Sequence, residues 1–140
     1  MANLVIDASL ASAWCFPDEQ AAYSIAVLYA VSSSLQAFAP RLWAYEVRNS
    51  VLMGLRCGRI DEPHAREFLS SLDDLKIHLT DPVSYNAIFR LAGRVGLTVY
   101  DAAYLDLALR EGSQLASLDD ALRNAAVGEW IVLFEPSIGR

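Results

Sequence analysis

The chain has 140 residues, of which 54% are hydrophobic and 20% are charged, and its formal net charge is −6. This length suits one domain spanning 1–140, and the apolar content excludes a disordered chain. The most apolar long stretch, 21–31, is much shorter than the roughly 20 residues of a membrane span. Because the N-terminal segment lacks a basic region followed by a long apolar stretch, we predict no signal peptide and a cytoplasmic protein.

The acidic balance argues against tight, sequence-independent binding to long nucleic-acid duplexes, which usually requires a basic face. With Lys76 as the single lysine, ten of the 11 basic residues are arginine, the side chain best suited to gripping phosphates or carboxylates. The two cysteines, Cys15 and Cys57, lie in apolar helical stretches. We therefore predict two buried thiols and no disulfide.

Apolar runs and turn residues predict an alternation of strands and helices along the chain. The predicted strands or extended runs are 3–6, 36–39, 76–79, 97–100, 115–117 and 130–134. The predicted helices are 8–15, 18–31, 42–57, 61–75 with Asp61 as its cap, 82–94, 102–111 and one that begins near 119. Strands that are apolar on both faces and alternate with helices indicate a three-layer α/β/α sandwich with a central, mostly parallel sheet.

Four acidic residues stand in apolar surroundings at predicted strand or helix ends. They are Asp7 in LVIDAS, Glu46 in WAYEVRN, Asp101 in TVYDAAYL and Asp119 in LASLDDAL. The three aspartates fall where predicted strands lead into helices, and sites of parallel sheets form at that edge, outside the carboxyl ends of the strands. If folding gathers the four carboxylates, their mutual repulsion calls for a hard divalent cation such as Mg²⁺ or Mn²⁺.

Each acid also has a purely structural interpretation. An Asp at a helix start is usually an N-cap, and Ser117 with Asp120 resembles an S-x-x-D capping box. Asp120 could take the place of Asp119 if the preceding strand ended one residue later. Glu46 could face solvent, and Asn49, on the same helical face, could orient a ligand or simply be solvated.

Two further polar residues lie close to the acids in the sequence. Ser9 follows Asp7 by two positions and is either a second N-cap candidate or a hydroxyl donor to a phosphate. Asp106 follows Asp101 by five positions, which turns it about 140° away around a helix, so we predict a solvated acid.

Nearly the whole chain resembles the PIN-domain family, and most closely the VapC-type toxins of bacterial toxin–antitoxin pairs. The segments that carry the resemblance are VIDASL, WAYEVRNSVL, TVYDAAYLDLAL and LASLDDAL, in that order. The family's four acids fall on Asp7, Glu46, Asp101 and Asp119, which the resemblance implies are catalytic and metal-binding. Asn49 and Ser117 match positions where the family often has Asn and Thr.

The resemblance implies a Mg²⁺- or Mn²⁺-dependent endoribonuclease that hydrolyses phosphodiester bonds of single-stranded or loop RNA. We predict Asp7 and Asp101 as inner metal ligands, with Glu46 and Asp119 completing the site directly or through water. The supporting residues, which would orient ligands or the phosphate, are Ser9, Asn49 and Ser117.

The resemblance also implies a homodimer and a cognate antitoxin whose segment lies across the active-site groove. The predicted contact surfaces are the apolar helix 21–31 and the helical hairpin 42–75. Three alternatives stay open: a PIN-type RNA-processing nuclease without an antitoxin, a receiver-like signalling domain and a non-catalytic PIN scaffold. The receiver-like domain is disfavoured because Asp7 has no acidic neighbour and Lys76 lies in mid-chain.

Overall fold

The computed structural model describes residues 3–19 and 21–136. Within these residues, four strands form one sheet: β1 (Asn3–Ile6), β2 (Gln36–Pro40), β3 (His78–Thr80) and β4 (Gln114–Ala116). Their order across the sheet is β3-β2-β1-β4, and every neighbouring pair is parallel. The register pairs Leu4 of β1 with Ala37 on one side and with Gln114 on the other, so β1 is a central strand.

Seven α-helices of the described residues flank the sheet. They are α1 (Ala8–Ala13), α2 (Ala22–Ser33), α3 (Leu42–Arg56), α4 (Glu62–Asp74), α5 (Tyr85–Val95), α6 (Val99–Glu111) and α7 (Asp120–Gly128). A short 3₁₀ turn, Pro17–Glu19, lies between α1 and α2. The predicted α/β sandwich with a central parallel sheet is confirmed.

The core surrounds β1 and α6. Leu4, Val5 and Ile6 are fully buried, as a central strand covered on both faces requires. On α6, Leu105 joins this main cluster, whereas Ala102 packs in a second cluster with residues of α5. Full burial of one such leucine stabilises the fold by about 1.5–3 kcal/mol. Among residues 3–19 and 21–136, no helix has the length and apolarity to span a membrane.

Helix ends follow residues that the sequence marks. The Asp61 carboxylate accepts a hydrogen bond from the backbone N–H of His64 at 3.0 Å, and Pro63 lies in the first turn, so α4 begins as predicted. A C-terminal end is marked in the same way: α6 ends at Gly112, whose φ of 58° is a left-handed conformation that favours glycine.

The extended run predicted at 97–100 is wrong. Val99 and Tyr100 already belong to α6, and the Thr98 hydroxyl caps this helix by accepting a hydrogen bond from the backbone N–H of Asp101 at 3.1 Å. β-Branched and aromatic residues favour strands when they pack against a sheet. Here Val99 and Tyr100 are 47% and 64% exposed, so no burial opposes the helical cap.

The last predicted strand, 130–134, is reduced to a single parallel bridge between Leu133 and Leu115 of β4. Trp130 has a φ of 64° and is 93% exposed. This left-handed residue turns the chain, and only the segment after it reaches the sheet edge. β3 also begins two residues later than predicted, because Lys76 has a left-handed φ of 55°.

Two predictions about single side chains are also wrong. Cys15 is buried as expected, but Cys57 is exposed because it stands at the C-terminal cap of α3. Asp106 is not a solvated acid: its side chain is 14% exposed and pairs with Arg110, one turn further along α6, at 2.9 Å. A partner at the fourth following position satisfies it locally.

Candidate active site

Asp7 is fixed at the carboxyl end of the central strand. It directly follows β1 and is the N-cap of α1, where its Oδ1 accepts a hydrogen bond from the backbone N–H of Leu10 at 3.0 Å. Its own backbone N–H donates to the carbonyl oxygen of Ala116 at 3.2 Å, which continues the β1–β4 pairing. The cap interpretation is therefore correct for Asp7, and it does not exclude a second role for the same carboxylate.

Two serine hydroxyls hold the Asp7 carboxylate from the side. Ser9 Oγ donates to Oδ1 at 2.8 Å and to Oδ2 at 2.9 Å, and Ser117 Oγ donates to Oδ2 at 2.5 Å. Burial raises the pKa of Asp7 to about 6, although these hydrogen bonds and the Leu10 N–H lower it, and nearby Asp119 raises it further. The carboxylate is thus held in one place but is costly to ionise.

Asp119 reaches the same edge from β4. It is the N-cap of α7, and its Oδ2 accepts a hydrogen bond from the backbone N–H of Leu122 at 2.8 Å. Ser117 links the two acids, because its Oγ donates to Asp7 and accepts from the backbone N–H of Asp119 at 2.9 Å. Ser117 is therefore not the cap of a box with Asp120, and Asp120 is exposed in the first turn of α7.

Asp101 arrives by a different route from the one predicted. It lies in the first turn of α6 and follows α5 through a short loop rather than a strand. Burial raises its pKa above the ordinary value and the negative charge of Asp119 adds to that rise, while the hydrogen bond to Thr98 lowers it. The prediction that Asp101 follows a strand is wrong, although its position at a helix start is correct.

Glu46 projects from α3 and is held by a tyrosine. The Tyr104 hydroxyl donates to Glu46 Oε1 at 2.5 Å. Burial raises the pKa of Glu46, the Tyr104 hydrogen bond lowers it and the charge of Asp101 raises it. Burial and the neighbouring Glu46 also raise the pKa of Tyr104 well above its usual range, so the phenol stays protonated.

Sequence reasoning missed Tyr104. This side chain is 1% exposed and lies three residues after Asp101, hence on the same face of α6. The spacing in DAAYL was the available signal. Without a structure, however, a tyrosine on an apolar helix is indistinguishable from an ordinary core residue.

One cleft collects these side chains. It has a volume of about 320 Å³, and its lining includes Asp7, Ser9, Glu46, Asn49, Ser50, Asp101, Tyr104 and Asp119. All four predicted acids and two of the three predicted supporting residues are therefore at one place. The third, Ser117, is buried behind Asp7. The catalytic and metal-binding roles of these residues stay predictions.

The cleft is lined by a high density of acidic side chains. None of the four acids makes an ion pair with any residue in the part of the chain that the structure describes. In the same residues, no three His, Cys, Asp or Glu side chains form a ready-made metal cluster. The donor set still suits Mg²⁺, which binds through one or two carboxylates and keeps several water ligands.

The fold and the site together define an α/β protein with an acidic cleft at the carboxyl edge of a parallel sheet. A model of the PIN domain family matches residues 4–128. The chain belongs to this family.

One sequence relative and two solved structures are similar to the chain along most of its length. The chain is 38% identical to Ribonuclease VapC3 of Pyrobaculum aerophilum over 124 residues. This alignment covers 86% of this chain and 92% of the relative. Among solved structures, PAE2754 from P. aerophilum has a TM-score of 0.61 at 25% identity, covering 89% of this chain and 86% of that one. FitAcB from Neisseria gonorrhoeae has a TM-score of 0.64 at 17% identity, covering 95% and 97%, and supports the fold alone.

Proposed function

We propose that the protein is a Mg²⁺- or Mn²⁺-dependent endoribonuclease, the toxin component of a VapBC-type pair, that hydrolyses RNA phosphodiester bonds. The observation that carries this proposal is the gathering of Asp7, Glu46, Asp101 and Asp119 in one cleft of a PIN-domain chain. The similarity to a VapC ribonuclease along most of both chains supports the same reaction.

The four carboxylates are the proposed metal-binding groups, with Asp7 and Asp101 as inner ligands and Glu46 and Asp119 acting directly or through water. A divalent ion bound there supplies positive charge for the phosphate oxygens and makes a coordinated water more acidic. Burial raises the pKa values of Asp7, Glu46 and Asp101, and the charge of a neighbouring acid raises each of them further. A divalent ion bound there would offset both costs.

The neighbouring residues would keep the carboxylates in place. Ser9 and Ser117 both donate their hydroxyl hydrogen bonds to Asp7, which supports a role in orienting that carboxylate. Tyr104 occupies one oxygen of Glu46 and leaves the other available to the cleft. Asn49 is exposed at the cleft wall, where its amide can donate to a phosphate oxygen. Such prior orientation lowers the cost of reaching the transition state.

The proposed partners are an RNA substrate, a cognate antitoxin and a second copy of the chain. The surfaces proposed for the protein partners are α2, where Ile25 and Tyr29 are 44% and 77% exposed, and α3 of the helical hairpin, where Leu52 and Met53 are 42% and 45% exposed. Exposed apolar residues of this size favour protein contacts. A chain that stays monomeric in sedimentation at micromolar concentration would contradict the dimer.

The first test of the activity is cleavage of labelled, structured RNA by the purified protein with Mg²⁺, with Mn²⁺ or with a chelator. We expect cutting that requires the metal and is lost in Asp7→Asn, Asp101→Asn and Asp119→Asn. Asp120→Asn is the matched control, because Asp120 is the exposed acid beside Asp119, and it should cut like wild type. Full cleavage by Asp7→Asn, or equal cleavage in chelator, would refute the proposal.

The toxin assignment has its own test. Induced expression of the chain should arrest bacterial growth, and Asp7→Asn should not. If a small gene for a DNA-binding antitoxin lies next to the coding sequence, its co-expression should relieve the arrest and yield a stable complex. If the protein cleaves RNA but does not arrest growth, and forms no complex with the co-expressed neighbouring gene product, it is an RNA-processing nuclease without an antitoxin rather than a toxin.

A further inference from the structure

A second cavity, which shares no lining residue with the acidic cleft, has a different character. It has a volume of about 540 Å³, inside the range of roughly 300–1,000 Å³ that is usual for small-ligand sites. Three aromatic residues line it: Tyr85 and Phe89 from α5 and Tyr100 from α6. Leu42 and Ile88 also contribute to its wall. We call this space the aromatic cavity.

Two helices, α3 and α6, contribute residues to both the aromatic cavity and the acidic cleft. Tyr100 directly precedes Asp101 in the first turn of α6, so their Cα atoms are about 3.8 Å apart. Leu42 begins α3, the helix that carries Glu46 one turn later. A nucleotide chain whose phosphate lay at the acids would therefore have the next base within reach of the aromatic cavity.

The aromatic side chains are unusually exposed. Tyr85, Phe89 and Tyr100 are 77%, 69% and 64% exposed. Tyr85 and Phe89 are four residues apart on α5 and so present their rings on the same helical face. Large apolar side chains gathered at a cavity mouth favour the binding of a further molecule, because that molecule removes them from water.

Charge decides which kind of contact can hold RNA on this surface. The net charge is −6. Six arginines already make ion pairs with Asp or Glu: Arg41, Arg48, Arg59, Arg66, Arg94 and Arg110. Attraction between basic residues and phosphates is therefore a weak source of affinity. Apart from a metal ion in the acidic cleft, stacking of bases on aromatic rings, which does not depend on net charge, is the strong contact that this surface offers to RNA.

We propose that the aromatic cavity binds an unpaired nucleobase of the RNA, stacked on Tyr100 and Phe89, next to the nucleotide whose phosphate enters the acidic cleft. Asn86, exposed at the rim, offers an amide donor and acceptor to the edge of that base. A base that is paired and stacked in a duplex does not offer its face to these rings, so the aromatic cavity would select single-stranded or loop RNA. This inference rests on the proposed function and adds to it the part of the substrate that is recognised.

Binding is best measured in chelator, where cleavage does not interfere. The probe is a short labelled single-stranded RNA, compared with the same strand in a duplex and with an abasic version of it. We expect Tyr100→Ala and Phe89→Ala to raise the Kd for the single strand by roughly five- to hundredfold each. Tyr100→Phe keeps the ring and should stay within about twofold of wild type.

Two controls separate stacking from other causes. Trp130→Ala removes an even more exposed aromatic side chain, 93% accessible, that lines a separate groove beside β4, and it should leave the Kd unchanged. Raising salt from about 50 to 200 mM should weaken binding by less than about tenfold, because few phosphates are neutralised. The abasic strand should bind as weakly as the duplex.

Several results would overturn the inference. Unchanged Kd values for Tyr100→Ala and Phe89→Ala, or equal binding of abasic and normal strands, would exclude a base-stacking site. If Phe89→Ala abolished self-association in sedimentation but left RNA affinity intact, the aromatic cavity would be a protein interface. In each case metal-dependent cleavage by wild type would show that the proposed nuclease survives, whereas an absence of both binding and cleavage would remove both.

Discussion

Neutralising Asp7 is expected to stabilise the metal-free protein at neutral pH, although it removes a proposed metal ligand. The residue is 4% exposed, and burial raises its pKa from the ordinary value of 3.8 to about 6. Hydrogen bonds from Ser9, Leu10 and Ser117 offset only part of the burial cost. An ionised Asp7 therefore destabilises the folded chain.

The size of the effect follows from the difference between the folded and unfolded pKa values. The folded chain binds the proton more tightly, so the free energy of unfolding falls as pH rises from 3.8 to about 6. At 1.36 kcal/mol per pH unit, the loss is about 3 kcal/mol above that window. The stabilising contribution is complete below pH 3.8 and absent well above pH 6.

The substitution Asp7→Asn removes the ionisation but keeps a carbonyl oxygen for the N–H of Leu10. At pH 7.5 in chelator, it should raise the free energy of unfolding by up to about 3 kcal/mol, less about 1 kcal/mol for a hydroxyl bond that the amide cannot accept. At pH 4, the two proteins should differ little, because most folded wild-type protein is then protonated at Asp7. Urea denaturation followed by circular dichroism measures both values.

A matched control isolates burial from helix capping. Asp61 caps α4 with the same hydrogen bond as Asp7 makes in α1, but it is exposed. Because Asn and Asp are similar N-caps, Asp61→Asn should change stability little at either pH. Adding Mn²⁺ should stabilise wild type and not Asp7→Asn. An Asp7→Asn protein that is less stable than wild type at pH 7.5 would refute the burial argument.

Two further predictions concern contacts of α3: the hydrogen bond that Glu46 accepts from α6, and the close packing at Gly54. Tyr104→Phe removes the hydrogen bond that holds Glu46 and should lower the cleavage rate about tenfold or more. Its melting temperature should stay near that of wild type, and an unchanged cleavage rate in a kinetic assay would contradict the prediction. A Cβ at Gly54 would lie 2.4 Å from the ring of Phe16, so Gly54→Ala should lose about 1–3 kcal/mol in urea denaturation. Gly93→Ala on α5, where a Cβ meets nothing within 4 Å, should instead gain about 0.5–1 kcal/mol, and equal effects of the two would refute the clash.

Elements with strong local signals were predictable. β1 spans the predicted residues, and β2 extends only one residue further, to Pro40. Asp7 and Asp119 each follow a buried strand and cap the next helix, which local sequence alone indicates. Exposure was less predictable. The helix end at Cys57 was expected, but an apolar neighbourhood does not reveal that this side chain faces solvent.

Asp101 illustrates where local reasoning fails. The run before it is β-branched and apolar, yet it is exposed, and the Thr98 cap makes it helical. The residue still reaches the acidic cleft because α6 packs between the sheet and α5. Which face of α6 meets Glu46 is a property of that packing, and so is the contact from Tyr104.

The sequence by itself determined the alternation of strands and helices, the parallel sheet and the identity of the four acids, because periodicity and residue type are local properties. Only the tertiary structure decided which side chains complete the acidic cleft. The hydrogen bond from Ser117 to Asp7 joins residues 110 positions apart, and the one from Tyr104 to Glu46 joins residues 58 positions apart. These contacts, and the burial that raises the pKa of Asp7, exist only once the sheet and helices are packed together.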